Sequence, residues 1–424
     1  MKDKLRRLWN DLYKGKYEDK FVKLMNILDK DTGKIDYLPE DPHWYKKGAI
    51  YSMYVDMFAN NFDETINKLD YLKELGITAI WLLPILESPL NDQGFDISDY
   101  YKVREDLGGN EAFSHFIEAA HKRKIKIIFD IAINHSSCEH KWFKSAKSSK
   151  NSEYRDYYIW NEDTEKYKEA RLLFKGIINS NWTYNKETDD YYFHRFYPIQ
   201  PDLNYKNPDV LIEMIKALAF WKLFGVDGFR LDAAPFLWKE ENTKCENLWE
   251  THLILKLFRA SLDYIGAGTL LIAEANLMPE YLIEYYGKDD ECQASYHFPL
   301  MPNFYLAIAE SEPKHIINTP FPDIPDNCQW LTFLRCHDEV TLEFTPIEDR
   351  EKMIKYYLRD NLWVFREQEG ISGRLYDLID KDYRKVLLAY SPLFSMEGTP
   401  IIYYGDEIGM ENDINFYNFM IHKT

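Results

Sequence analysis

Arg230 and Asp232 close the run Phe224-Gly225-Val226-Asp227-Gly228-Phe229-Arg230-Leu231-Asp232, whose apolar alternation reads as a short buried strand ending in opposite charges. Residues two apart on an extended chain point the same way, so the Arg230 guanidinium can hold the Asp232 carboxylate ionised and make it a candidate nucleophile. Other apolar runs also end in polar groups: the run from Lys126 in Asn134 and His135, the run from Leu270 in Glu274, and the run from Gln329 in His337 and Asp338. Several carboxylates at strand ends suit chemistry at an acetal, in which one attacks the anomeric carbon and a second, kept protonated, gives its proton to the leaving oxygen. Asp232 fits the first role. Glu274 follows Leu271, Ile272 and Ala273 with no basic neighbour in sequence, so desolvation is expected to raise its pKa and keep it protonated as general acid. Asp338 would brace the sugar, with His135 and His337 donating to its hydroxyls. Singly, a strand-end acid is often a helix cap and a histidine an ordinary hydrogen-bonder. Their joint placement argues for a site.

The elements that must position these groups alternate. Residues 49–55 read as a strand, about 65–75 as a helix ended by Gly76, and Ile77-Thr78-Ala79-Ile80-Trp81-Leu82-Leu83 as a second strand. A helix over about 109–123 then leads into the third strand from Lys126. With the runs before Asp232, Glu274, Asp338 and Asp406, and a weaker strand near 292–298, eight strands are predicted. That number closes a (β/α)8 TIM barrel with its active site at the strands' C-terminal ends. Residues 136–204 break the rhythm with Tyr, Trp, Asn and Asp, and are expected to form an inserted subdomain after the third strand. The expected organisation is a 1–40 extension of one helix and a tether, a first barrel part over 41–135, the 136–204 insertion, and a second barrel part over 205–424. Residues 339–381 read as a charged helical excursion.

Composition narrows the function classes. The 424 residues carry 52 basic against 70 acidic side chains, a net charge of −18 that repels nucleic acids and anionic membranes and leaves a neutral small molecule as the expected ligand. Aromatic residues make up 16%, a load suited to stacking on sugar rings. Five scattered cysteines without CxxC spacing indicate neither a disulfide framework nor a zinc site. The charged N-terminus lacks the apolar core of a signal peptide and no run of 18 apolar residues occurs, so the chain is expected to be cytoplasmic. Oligomeric state is left open.

Asp130-x-x-x-Asn134-His135, Gly228-x-Arg230-x-Asp232, Glu274 and His337-Asp338 resemble, in order and in strand placement, the four motifs of the α-amylase superfamily (glycoside hydrolase family 13). Gln200-Pro201-Asp202-Leu203-Asn204 resembles its fifth. The resemblance implies Asp232 as nucleophile, Glu274 as acid/base, Asp338 as transition-state stabiliser, and Arg230, His135 and His337 as binders of the glucosyl unit. Asp96, in Gly94-Phe95-Asp96-Ile97-Ser98-Asp99-Tyr100, matches a family Asp that grips the sugar's outer hydroxyls, with Phe95 in place of the usual Tyr. Segments such as Asp41-Pro42-x-Trp44-Tyr45, His194-Arg195-Phe196 and Glu274-Ala275-Asn276 are similar to the trehalose-synthase subgroup, which isomerises maltose through a covalent glucosyl-enzyme without consuming a cofactor. That implies maltose, trehalose and other α-glucosides as substrates. An α-glucosidase or amylase-type hydrolase, another transglycosylase, and a truncated non-catalytic sugar-binding fragment remain open. Two departures are noted. The last barrel helix and C-terminal β-sandwich of the superfamily are expected to be missing, which would leave the outer face of the strand Ile401-Ile402-Tyr403-Tyr404 bare. The calcium of the subgroup is expected to be lost: Gly176 and Lys239 stand at its acidic positions, Asn134 remains as a vestige, and Lys239 is the candidate replacement for the ion, with Glu240 as an acid that could still reach inward.

Overall fold

The computed structural model describes residues 1–34, 39–174, 176–343, 345–358, 363–365 and 369–415. Eight parallel strands close into a barrel: β1 Ile50–Met53, β2 Ala79–Leu82, β3 Lys126–Ala132, β4 Gly228–Asp232, β5 Leu270–Ala273, β6 Ala294–Tyr296, β7 Gln329–Phe333 and β8 Thr399–Tyr403. Each strand pairs with the next in the chain, and β8 returns to β1 through Ile50 opposite Ile401. The barrel is therefore the predicted one. Its strands are buried along nearly their whole length, which is why they read as continuous apolar runs rather than as alternation.

Register sets the site. On β3 and β4, Asp130 lies opposite Arg230 and Ala132 opposite Asp232. On β5, Ala273 lies opposite Leu231, so Glu274 leaves its strand level with Asp232. The helix that delivers β4, Pro208–Phe224, shows why the chain turns where it does. Asn207 caps it by accepting from the Asp209 amide, Pro208 costs no hydrogen bond in the first turn, and Gly225 ends it at φ 110°.

Three expectations are corrected. A second helix, Glu18–Asp31, stands where a tether was expected, because Phe21, Leu24, Met25 and Leu28 form a helical apolar stripe. It packs on Pro208–Phe224, held by Lys20 and Lys23 on Asp209, while Leu5, Leu8, Trp9 and Leu12 of the first helix, Lys2–Tyr13, are buried and that helix packs on Trp249–Ile265. Residues 35–38 of that extension lie outside the described residues. The 339–381 excursion is not only helical: Val340–Thr341, Gly370–Ile371 and Val364–Phe365 form a small antiparallel sheet beside the helix Ile347–Tyr357. Two-residue strands carry no readable period. Finally, the end of β8 is not bare. Ile401, Ile402, Tyr403 and Tyr404 are all buried, and the Arg374 guanidinium lies over both tyrosine rings and donates to the Tyr404 carbonyl.

Between β3 and Pro208–Phe224 the chain builds the helix Lys141–Ser148 and a three-stranded antiparallel sheet of Trp160–Asn161, Asp190–Phe193 and Trp182–Asn185. Ile159, Tyr167, Ala170, Trp182 and Phe193 give this sheet a small core of its own, together with Cys245 from the loop after β4.

Candidate active site

A cavity of about 430 Å3 opens at the C-terminal ends of the barrel strands, and Arg230, Asp232, Glu274, His135, His337 and Asp338 all line it. At its base the buried Arg230 bridges two acids: Nη1 lies 2.5 Å from Asp130 Oδ1 and 2.8 Å from Asp232 Oδ1. The Trp81 indole donates to the other Asp130 oxygen at 2.9 Å. Burial, opposed by Arg230, pushes the Asp130 carboxyl up to about 7. The guanidinium is thereby fixed beneath Asp232.

Ala233, immediately after Asp232, has the left-handed backbone φ 56°, ψ 35°, a conformation that costs a non-glycine residue about 1 kcal/mol or more. The turn aims the Ala233 amide at Glu274 Oε2, 3.0 Å away. Glu274 is thus tied to the peptide that follows Asp232. Burial, opposed by Arg230 and reinforced by the charges of Asp232 and Asp338, pushes Glu274 up to about 7, the direction expected of an acid held protonated near neutrality. Asp232 has the guanidinium that Glu274 lacks at contact distance.

His337 stacks against Phe95, with ring centroids 5.3 Å apart, and its Nε2 lies 3.4 Å from Asp338 Oδ2. The side chain of Asp338 is about half exposed, facing the opening. His135 Nε2 lies 3.2 Å from the Gln200 amide nitrogen, which also donates to Asp92 Oδ2 at 2.8 Å. Burial lowers the pKa of both histidines, favouring neutral rings that can donate to and accept from hydroxyls.

Asp96 is not in the cavity. Its carboxylate is buried and accepts from Ser88 Oγ at 2.8 Å and from the amides of Asp92 and Asn91 at 3.2 and 3.3 Å, so it ties down the loop that precedes it. That loop is tightly folded: Leu90 and Gln93 have positive φ, and at Gly94, φ 103°, a Cβ would come within 2.7 Å of Pro84. Its effect is to present Asp92 to the cavity, where burial pushes the carboxyl up to about 6. Asp92 is the residue that sequence reasoning missed. The signal was the turn Asn91-Asp92-Gln93-Gly94, which throws the acid before the glycine outward while the acid after it folds back.

Three further lining residues were also missed. Arg171 pairs with Glu246 through Nη2 at 3.0 Å and with Glu343 through Nη1 at 3.0 Å. These residues come from the 136–204 segment, the loop after β4 and the 339–381 segment, and no local pattern announces a contact across such separations.

At the junction of the insertion and the barrel, Lys239 is buried, with Nζ 2.7 Å from Asn134 Oδ1 and 2.7 Å from Asp202 Oδ2. Glu240 turns outward to Lys206 and Gly176 is exposed with open space around it. One carboxylate and one amide already engaged by an ammonium do not fit a calcium ion, which takes six to eight oxygen ligands.

The described residues contain no helix long and apolar enough to cross a membrane, and the five cysteines are free thiols. Residues 60–423 match the family model "Alpha amylase, catalytic domain". The chain is 42% identical over 394 residues to the trehalose synthase/amylase TreS of Mycobacterium tuberculosis, covering 90% of this chain and 65% of that protein. It is 43% identical over 380 residues to the trehalose synthase of Thermus thermophilus, covering 87% of this chain and 39% of the other. Among solved structures, the α-amylase from H. orenii superposes with a TM-score of 0.67 at 30% identity, covering 87% of this chain and 70% of that one. The chain thus spans about two thirds or less of the length of these two curated relatives.

Proposed function

The chain belongs to the α-amylase catalytic-domain family, and on that footing we propose that it is a retaining α-glucosyl isomerase interconverting maltose and trehalose. The observation that carries this reading is the pairing of Asp232 and Glu274 in one cavity: one carboxylate held by Arg230, the other pushed up to about 7 and braced through the Ala233 amide.

Asp232 attacks the anomeric carbon of the non-reducing glucosyl unit while Glu274 gives its proton to the glycosidic oxygen, which leaves a glucosyl-enzyme and free glucose. The freed glucose turns within the cavity, Glu274 takes the proton of its anomeric hydroxyl, and that oxygen displaces Asp232. The product is trehalose, and neither water nor cofactor is consumed. Arg230, His135, His337 and Asp92 hold the glucosyl hydroxyls, and Asp338 opposes the positive charge that develops at the ring. The two carboxyl groups are expected to lie about 5–5.5 Å apart, as in retaining enzymes. The Lys239 ammonium performs a structural cation's role, so activity is proposed to be calcium-independent, and free thiols fit a reducing, cytoplasmic location.

A second reading is favoured by the mycobacterial relative, a trehalose synthase/amylase: water enters before the glucose turns, and hydrolysis accompanies transfer. Incubation with maltose, followed by separation of trehalose from glucose, tests both. Trehalose as the main product supports the isomerase, glucose alone overturns it in favour of a hydrolase, and no turnover leaves a binding fragment.

A further inference from the structure

Cys336 is the one thiol clustered with cavity-lining residues, His337 and Asp338. Its Sγ, a ring nitrogen of His337 and a carboxylate oxygen of Asp338 lie within 4.8 Å of one another. The His337 side chain is only 6% exposed and its buried Nδ1 has no hydrogen-bond partner among the described residues. Asp338 is about half exposed toward the cavity, so an ion entering by the substrate's route meets its carboxylate first.

We propose that Cys336, His337 and Asp338 form an inhibitory site for a thiophilic divalent cation such as zinc, which competes with the sugar for the cavity. A sulfur, an imidazole nitrogen and a carboxylate oxygen make a borderline-soft donor set of the kind zinc prefers over calcium or magnesium. At bond lengths of about 2.0–2.3 Å, ligand atoms around a tetrahedral ion stand about 3.4–3.8 Å apart. Closing the widest gap, at most 4.8 Å, needs a side-chain movement of about 1 Å. On binding, the thiol proton leaves to solvent and a sulfur–metal bond forms. A fourth position is left for water. His337 and Asp338 are the groups proposed to hold the glucosyl ring, so occupation by a metal removes both at once. The inhibition rests on the function proposed above; the metal binding does not.

Cobalt(II) serves as the spectroscopic probe and zinc as the kinetic one. Cobalt is expected to give a near-ultraviolet thiolate charge-transfer band, displaced by zinc, lost in Cys336→Ser and Cys336→Ala, and kept in a Cys138→Ala control. Zinc is expected to inhibit competitively against maltose, with at least a tenfold higher zinc concentration needed in Cys336→Ser, whose zinc-free turnover is unchanged. Absence of the band, a band that survives both Cys336 variants, or inhibition indifferent to them would overturn the site. If maltose is not turned over at all, the cobalt measurement still decides the binding and the failure belongs to the proposed reaction.

Discussion

Asp232 and Glu274 are both strand-end carboxylates, and what separates them is what touches each: a guanidinium at 2.8 Å for one, a single backbone amide in a buried setting for the other. The general acid is needed only when the leaving group must be protonated. Glu274→Gln is therefore expected to lower maltose turnover by about 10^2–10^4-fold, yet to retain most of its rate of glucosyl-enzyme formation from α-glucosyl fluoride, while Asp232→Asn loses both. Equal losses on the two substrates in Glu274→Gln would remove its assignment as acid. The pH dependence has a definite sign. Since Glu274 is pushed up to about 7, kcat/KM should fall as pH rises through about 7, where the acid loses its proton. The same shift means that the folded state binds this proton more tightly than the unfolded chain. Stability should therefore decline as pH rises from the ordinary carboxylate range to about 7, and Glu274→Gln should melt higher than wild type above pH 7. Six of the seven proposed substrate-handling residues were legible because strand ends announce themselves as apolar runs that stop on a charge. Asp96 misled because, two positions past the turn glycine, it looked as available as Asp92, and only the folded loop shows which carboxylate its own backbone consumes. Asp92→Ala should raise KM for maltose by at least about tenfold without lowering Tm, whereas Asp96→Ala should lower Tm. The reverse pattern would restore the sequence-based choice.

The barrel strands and the capped helix Pro208–Phe224 were readable because each carries its apolar run or its terminators within about twenty residues of sequence. The segment after β7 was not, since its strands are two residues long and find partners only when the chain folds back. The junction around Lys239 lies between these cases: an ammonium replacing an ion could be anticipated from residue type, but its partner Asp202 could be found only in the fold. The side chain of Lys239 is 2% exposed and that of Asp202 fully buried. Removing the ammonium leaves a buried carboxylate whose remaining hydrogen bond among the described residues comes from the Arg195 amide at 2.8 Å, a loss on the order of 3–5 kcal/mol. The loss should also reach function, because the backbone of 134–136 pairs with 201–203 here and so places His135 against Gln200. Lys239→Met is expected to lower Tm by several degrees and to raise KM. A chelator should leave the unmodified protein's Tm and activity unchanged. Loss of activity on chelation, restored by calcium, would mean that the ammonium does not do the ion's work.

At the scale of the whole molecule, the outcome of the proposed reaction depends on how well the cavity excludes water rather than on the carboxylates. Isomerisation requires that the freed glucose turn and attack before water does, and the barrel alone is open at its strand ends. Three separate parts of the chain line the cavity here, and Arg171 joins them, bidentate to Glu246 and single to Glu343. The pair to Glu343, with side chains 41% and 42% exposed, is worth only about 1 kcal/mol or less for overall stability, and the more buried Glu246 keeps the Arg195 guanidinium 3.4 Å away when Arg171 is removed. Small energies are enough to change how often the mouth opens, since 1.4 kcal/mol is a factor of ten in an equilibrium. Arg171→Ala is therefore expected to leave Tm nearly unchanged and maltose consumption within a few-fold of wild type, while raising the ratio of glucose to trehalose several-fold. High salt, by screening the same pairs, should move the ratio the same way by less, and Arg171→Lys, which cannot form the two parallel bonds to Glu246, should fall between. An unchanged product ratio in Arg171→Ala would show that water is excluded by the apolar lining, Leu172, Leu173 and Phe174, and not by the ion pairs that pull it shut.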